Sequence, residues 1–433
     1  MRRERRGPRA RPRALHLEGG LLRLRGDPRR AGGRRVGTVA ASARPPPPAG
    51  EPVSGSVGRR RRPRPPAAAS SPRTILFLHP SDETYGADRV LLEALRAVPE
   101  DVTAEVWLPD DLDYPARPLT RLLEERGVTV RRMPLPVLRR AYLRTRHLLS
   151  FLRRTAATGR AIRELDPALV YVNTAALALV LPVARLLGAP TLLHLHEHSR
   201  GIERWVLCLL FRSADRLVVV SRAVADTLTA SNRRRSTVVH NGFESTPPVP
   251  LPQGDELVFV LASRWNAWKG HEHFLRVWSR LERRDVRLIV LGGPPVCGTG
   301  VDVPGIVAGM RNGESVEVRG ECEDVRRVLD AAHVVVVPST SPDPLPTIAL
   351  EAAAAGRAAL VSRSGGLPEI VLDGVTGRTL APGAVEEWVA VLEGLDRAAV
   401  ESFGRAAHEH SRAAFSRTEF VRRIGEELRV MLR

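Results

Sequence analysis

Short runs of apolar, mostly β-branched residues alternate with amphipathic helical patterns along this chain, and the alternation restarts once after a proline-rich break. The runs fall at 74–79, 104–108, 169–173, 191–196, 216–221 and 236–240, then at 256–262, 286–291, 316–319, 334–338, 358–362 and 378–380. Helical patterns such as 88–97 and 142–165 separate them, with apolar residues three and four apart. A run that is apolar throughout, such as Leu217-Val218-Val219-Val220, suits a parallel strand covered on both faces. Strand–helix–strand repetition of this kind makes a doubly wound α/β domain. Between the two series, 247–254 reads Pro-Pro-Val-Pro-Leu-Pro-Gln-Gly, a stiff linker. The expected architecture is two Rossmann-like domains, 74–248 and 249–400, facing each other across a ligand cleft. Helical patterns at 384–395 and 397–433 close the chain, with 401–433 as a C-terminal helical segment.

The formal net charge of +18 suggests nucleic acid until it is located. Residues 1–73 hold 20 Arg against Glu4, Glu18, Asp27 and Glu51, a net of +16, so 18 − 16 leaves +2 for the remainder. The body is nearly neutral, and no nucleic-acid partner is expected. The first 73 residues are rich in Arg, Pro, Gly and Ala and almost lack aromatic side chains. Such a segment buries too little apolar surface to offset chain entropy, and reads as a disordered tail, a targeting segment or chain ahead of the true start. It carries no apolar run of signal-peptide type. Three widely spaced cysteines, Cys208, Cys297 and Cys322, form neither a metal motif nor a disulfide framework and fit a reducing compartment. The longest spanning candidate, 175–187, is broken by Pro182 and Arg185. A cytoplasmic location is expected.

Lys269 is the one lysine among 66 basic residues. Where arginine serves everywhere else, a surviving ammonium marks a place that a planar fork would not fit. Arg264 and Lys269 follow the first strand of the second half, at its carboxyl edge. Two cations there can neutralise a departing diphosphate. Further on, the strand at 334–338 runs into a loop with Asp343, and the next helix carries Glu351. A carboxylate suits a pair of vicinal hydroxyls, because its two oxygens accept two hydrogen bonds. The helix N-terminus between the two acids favours an anion. One acid for a sugar, one for a ribose and a dipole for phosphate make a nucleotide-sugar site. Gly365-Gly366 adds a tight loop with close backbone approach.

In the first half the strand at 191–196 runs into His194-Leu195-His196-Glu197-His198. Alternating histidines on a strand share one face, but no remote Cys or His cluster accompanies them, and no metal is expected. His194 suits the core. Asn173, ending another strand, fits the cleft or a turn equally well; with Glu197 it is assigned to the acceptor side. Between Arg131 and Arg163 lie 10 Arg and no acidic residue. Over 137–154 apolar and basic residues can separate onto two faces, as on a helix lying on an anionic bilayer. A core-facing helix with a solvated basic face accounts for the same pattern.

Asp343 and Glu351, followed by Ala352-Ala353-Ala354-Ala355-Gly356 and Gly365-Gly366-Leu367-Pro368-Glu369-Ile370, resemble the retaining glycosyltransferases of family four, of the GT-B fold. Arg264 with Lys269-Gly270 is similar to that family's donor-diphosphate pair, and His240-Asn241-Gly242 to its domain-junction turn. His79-Pro80-Ser81 and Tyr85-Gly86-Ala87-Asp88-Arg89 resemble its first glycine loop. The resemblance covers about residues 74–400, in the family's order. It implies that Glu351 holds the ribose, Asp343 the donor sugar, and Arg264 and Lys269 the diphosphate, with Leu345, Pro346 and Thr347 beside them. Gly86 would let backbone approach the reaction centre. His196, at its strand end, would as a neutral imidazole bond the donor sugar or orient the acceptor. Two departures stand out: aspartate replaces the family's usual glutamate at Asp343, and Leu345-Pro346 replaces the commoner Phe-Gly. Pro346 removes one N–H donor.

The implied activity is transfer of a sugar from a nucleotide sugar to a hydroxyl acceptor with retention. The acceptor would be a lipid-linked glycan, cell-surface polysaccharide or small glycoside, and the nucleotide sugar is a co-substrate, with no cofactor or metal required. Docking through 131–163 would place the enzyme on the inner membrane face. A nucleotide-sugar epimerase of the same fold, or a polyanion-binding protein acting through its tail, are the rival readings.

Overall fold

The computed structural model describes residues 73–433 apart from 115, 140–147, 200, 245–246, 296–298 and 323. The basic tail up to residue 72, Cys297 and the first part of the helix expected at 142–165 lie outside the described residues.

The first half holds β1 (Arg73–Leu78), β2 (Val102–Pro109), β3 (Thr129–Met133), β4 (Leu169–Val172), β5 (Thr191–Leu195), β6 (Arg216–Val219) and β7 (Ser236–Val238). These form one sheet in the order β3-β2-β1-β4-β5-β6-β7. The second half holds β8 (Leu257–Ala262), β9 (Val286–Leu291), β10 (Val316–Gly320), β11 (Val334–Val337), β12 (Ala358–Ser362) and β13 (Gly377–Leu380), in the order β10-β9-β8-β11-β12-β13. Pairing is parallel throughout both sheets. The strands are the apolar runs: β11 is four buried valines, whose branched side chains pack well on a sheet covered from both sides. Winding direction reverses between β1 and β4 and again between β8 and β11. At such a reversal the flanking connections leave to opposite faces, opening a crevice at the strands' carboxyl ends.

Helices α1 (Gly86–Ala94), α2 (Pro118–Glu124), α3 (Leu148–Leu165), α4 (Val180–Leu186), α5 (Gly201–Phe211), α6 (Arg222–Ala225) and α7 (Ala230–Arg233) belong to the first half. The second half carries α8 (His271–Trp278), α9 (Val303–Ala308), α10 (Val325–Asp330), α11 (Thr347–Ala354), α12 (Leu367–Ile370), α13 (Val385–Glu393), α14 (Arg397–Ala414) and finally α15 (Arg417–Leu432). Ile162 of α3, Leu181 of α4 and Phe211 of α5 share a core with Leu76, Val170 and Leu193. Leu91, Leu123 and, from α15, Phe420 and Ile424 share another with Ile75, Phe77 and Val218 on the opposite sheet face. Each such side chain contributes about 1.5–3 kcal/mol on burial.

The helical pattern at 397–433 is two helices. The break falls at Phe415-Ser416, where the Ser416 side chain accepts from Glu419 N–H and starts α15 afresh. The first of the pair, α14, packs on α11 and β12 of the second half, whereas α15 packs on α1 of the first. Gly242 sits beneath this crossing, and a Cβ there would lie 2.3 Å from the Ser416 carbonyl oxygen. Strand β3 escapes the apolar-run reading because it is a part-exposed edge carrying Arg131 and Arg132, and charge is how edges are protected.

Of the stretch 137–154, residues 140–147 lie outside the described residues; 137–139 are not helical and 148–154 belong to α3. Leu135 and Val137 are core residues. Arg139 bonds Asp111, the Pro80 carbonyl and the Tyr114 hydroxyl, and the described helix begins only at Leu148.

Candidate functional site

The second sheet's reversal point is built by the exits of β8 and β11. After β8 the chain makes a 3-10 turn, Ala267–Lys269, ended by Gly270 at φ 82°. A Cβ on Gly270 would stand 1.9 Å from the Pro338 carbonyl oxygen, so only glycine lets the two exits meet. Lys269 Nζ thereby reaches Asp343 Oδ2 at 2.5 Å, with Ser339 Oγ donating to the same oxygen at 3.2 Å. The Gly365-Gly366 loop supports Asp343 from behind: Gly366 N–H bonds its carbonyl at 2.8 Å. Pro346 precedes α11, and no side chain caps that helix's N-terminus. Thr347 is its first residue, and Glu351 lies one turn on.

The first half closes over this edge. A Cβ on Gly86 would come 3.3 Å from Thr347 Cγ2, so the glycine loop abuts the start of α11. Arg89 bonds Glu351 at 2.9 Å. Arg264 lies 3.8 Å over the Tyr85 ring and pairs with Glu83, while its Nε is buried without a partner. Tyr85 Oη donates to Glu321 at 2.6 Å. Burial pushes the Glu83 carboxyl up, against the pull of Arg264 beside it. Glu369 fastens the junction: it accepts from Arg222 and Ala223 N–H and lies 2.9 Å from His240 Nε2.

At the first sheet's reversal point a buried polar chain runs Asp88–His79–Asn173–His196. His79 Nε2 donates to Asp88 at 2.8 Å, and Asn173 Nδ2 donates to His79 Nδ1 at 2.9 Å. His196 Nε2 then donates to Asn173 Oδ1 at 3.1 Å. Each link fixes the next, so His196 carries its proton on Nε2 and keeps a lone pair on Nδ1. Burial, with His194 and His79 nearby, holds the His196 pKa well below its usual 6.5, leaving the ring neutral. Burial opposes ionisation of Asp88, but His79 and Ser81 outweigh it and hold the pKa below the ordinary 3.8.

Of the expected residues, Gly86, Arg264, Lys269, Asp343, Pro346, Thr347 and Glu351 lie at one edge and Asn173 and His196 at the other, while two side chains turn inward. Leu345, placed among the donor-lining residues, is buried in the core with Ile348 and Leu367, so its side chain anchors the loop. Glu197, placed on the acceptor side, spends its carboxylate on Thr174 Oγ1 and the N–H groups of Ala175 and His196, and holds the loop that presents His196. His194 is the core residue expected, 2.6 Å from the Tyr171 hydroxyl, with burial holding its pKa to about 3. Sequence reasoning assigned no role to Glu83, Tyr85, Arg89, Glu321 or Glu369, nor to the His79–Asp88 pair. For that pair a signal existed: a strand-end histidine nine residues before an acid in a helix's first turn.

Paired doubly wound domains, with cations and carboxylates at one reversal point and a neutral histidine at the other, have the architecture of the GT-B fold. Residues 85–246 match the model of Glycosyltransferase Family 4, and residues 256–396 that of Glycosyl transferases group 1. The chain belongs to glycosyltransferase family four. It is 31% identical over 222 residues to the D-inositol 3-phosphate glycosyltransferase of Mycobacterium sp. strain JLS, covering 47% of this chain and 49% of that one. The Mycobacterium marinum enzyme of the same description is 32% identical over 226 residues, 47% of each chain. The chain spans about half the length of the curated relatives it matches. In fold it is similar to Anabaena HepE, solved with UDP and glucose, at TM-score 0.67 and 21% identity over 82% of this chain and 98% of that one. Sucrose-phosphate synthase from Thermosynechococcus elongatus superposes at TM-score 0.65 and 17% identity, covering 83% and 99%.

Proposed function

We propose that this chain transfers a glycosyl group from a nucleoside-diphosphate sugar to a hydroxyl acceptor with retention of configuration. The observation that carries the proposal is the meeting of Arg264, Lys269, Asp343 and the uncapped start of α11 against Gly86. A diphosphate entering there takes Arg264 from Glu83 and Lys269 from Asp343, and occupies the N-terminal dipole of α11. Asp343 is then free for the donor sugar's hydroxyls, and Glu351, taken from Arg89, for the ribose. As the anomeric C–O bond breaks, the two cations and the helix dipole stabilise the leaving diphosphate. The acceptor oxygen bonds the anomeric carbon on the face the diphosphate leaves, and its proton passes to the departing phosphate oxygen. His196, neutral and oriented, accepts a hydroxyl hydrogen bond at Nδ1. The cations supply the charge that a divalent ion supplies elsewhere, so no metal or cofactor is required in this scheme.

HepE was solved with UDP-glucose, which makes uridine the first base to try. The acceptor we take to be a lipid-linked or cell-envelope glycan, or a small glycoside, met at the inner membrane face. The test is thermal unfolding of the chain and of Glu351→Ala with UDP-, GDP-, ADP- and TDP-sugars. One nucleotide sugar should raise the wild-type midpoint and lose that effect in the variant. No shift with any donor overturns the donor site.

A further inference from the structure

Helix α5 is apolar on two faces. Leu207, Cys208 and Phe211 point into the core. Ile202, Trp205, Val206 and Leu209 are 84%, 62%, 55% and 65% exposed, and their spacing makes one stripe along the outer side. The neighbouring helices extend it, with Leu186 of α4 at 88% and Leu149 and Leu152 of α3 at 68% and 58%. Adjacent helices α3 and α4, and α4 and α5, pack side by side. Single exposed apolar residues are ordinary, but a run of them over one layer marks an interaction surface.

The charges around the stripe identify what it meets. Arg153, Arg160 and Arg163 on α3, Arg185 on α4 and Arg212 just beyond α5 are exposed, against Glu164 on α3, Asp166 just beyond it and Glu203 on α5. Apolar side chains with a tryptophan, bordered by arginines, match the acyl boundary and headgroups of an anionic bilayer. Arg204 lies 5.3 Å over the Trp205 ring, the pairing of cation and aromatic that suits a headgroup depth. No helix among the described residues is long and apolar enough to cross a membrane, so the helix lies on the surface.

We propose that the outer face of α5, with α3 and α4, docks the protein on an anionic phospholipid membrane. The contact thus joins α4 and α5 to the part of 137–154 that lies on α3, with Leu149 and Leu152. Gly201 follows His196 after a short loop, so the stripe begins beside the acceptor edge of the cleft. An acceptor anchored in the same bilayer reaches His196 without leaving it. The inference does not depend on which reaction the cleft performs.

The experiment is sedimentation of the full chain with vesicles of phosphatidylcholine alone or with phosphatidylglycerol, paired with tryptophan quenching by brominated lipid. Wild type should bind the anionic vesicles, and Trp205→Ser/Leu209→Ser should bind about tenfold less, since both side chains would otherwise leave water. Quenching should fall in Trp205→Phe. Unchanged circular dichroism of the variants keeps misfolding separate. Undiminished binding by the double variant, or absence of Trp205 quenching, overturns the proposal. So does a wild-type dimer in the ultracentrifuge that the double variant converts to monomer, because the face would then meet protein.

Discussion

Lys269 with Asp343 and Arg89 with Glu351 pair within the protein the groups that the donor is proposed to engage. Binding is then an exchange of ionic partners, which avoids leaving a charge buried and unpaired. Lys269→Met and Glu351→Ala should each lower transfer by on the order of 10²-fold, the usual effect of losing one electrostatic stabiliser. Lys269→Arg should recover little, because a flat guanidinium cannot take the place of a compact ammonium against Asp343; steady-state rates check both. Asn173→Leu should leave His79 Nδ1 and His196 Nε2 without partners. The cost is about 1–3 kcal/mol for each buried group, read from urea unfolding. Lys269, Asp343 and Glu351 stand out in the sequence because a lone lysine and two acids at fixed spacing are local facts. The polar chain under His196 does not, since it joins residues 79, 88, 173 and 196 from four separate elements.

At the scale of elements, loops held by glycine aim the site. Gly365 has φ +60°, and a Cβ on it would lie 2.0 Å from the Asp343 carbonyl oxygen. Gly365→Ala should therefore displace Asp343, costing about 1–3 kcal/mol in backbone strain alone and abolishing the donor-induced thermal shift. Gly394→Ala serves as the control: its Cβ would meet only Ala390 O, at 3.4 Å, and its φ is −87°. It should retain the shift. Strand and helix types were readable from apolar period, and most boundaries agree within a residue or two. The exceptions are instructive. An arginine-bearing edge strand imitates loop, and the junction at Ser416 hides within an unbroken helical pattern because a serine cap costs that pattern nothing.

For the whole molecule, pH acts through histidines sealed in neutral form. Burial holds His194 to about 3 and, with Lys269 adding repulsion, His271 to about 4. Both folded values lie below the ordinary 6.5, so the unfolded chain binds the extra protons. The stability this confers is complete above pH 6.5 and is lost as pH falls toward 4, by up to about 1.4 kcal/mol per pH unit for each histidine. The urea midpoint should be lower at pH 5 than at pH 7.5; a flat or rising midpoint would contradict the assignment.

Two doubly wound halves, their linker and the donor-side motifs were determined by sequence alone, because period and spacing are properties of neighbouring residues. Tertiary structure alone decided the return of α15 to the first half, the pairing of Arg89 with Glu351, and the inward turn of Leu345 and Glu197. It also decided which side of α5 meets the core. A helix apolar on both faces carries no local mark of which face will be covered, and only the packing of the sheet beneath it makes that choice.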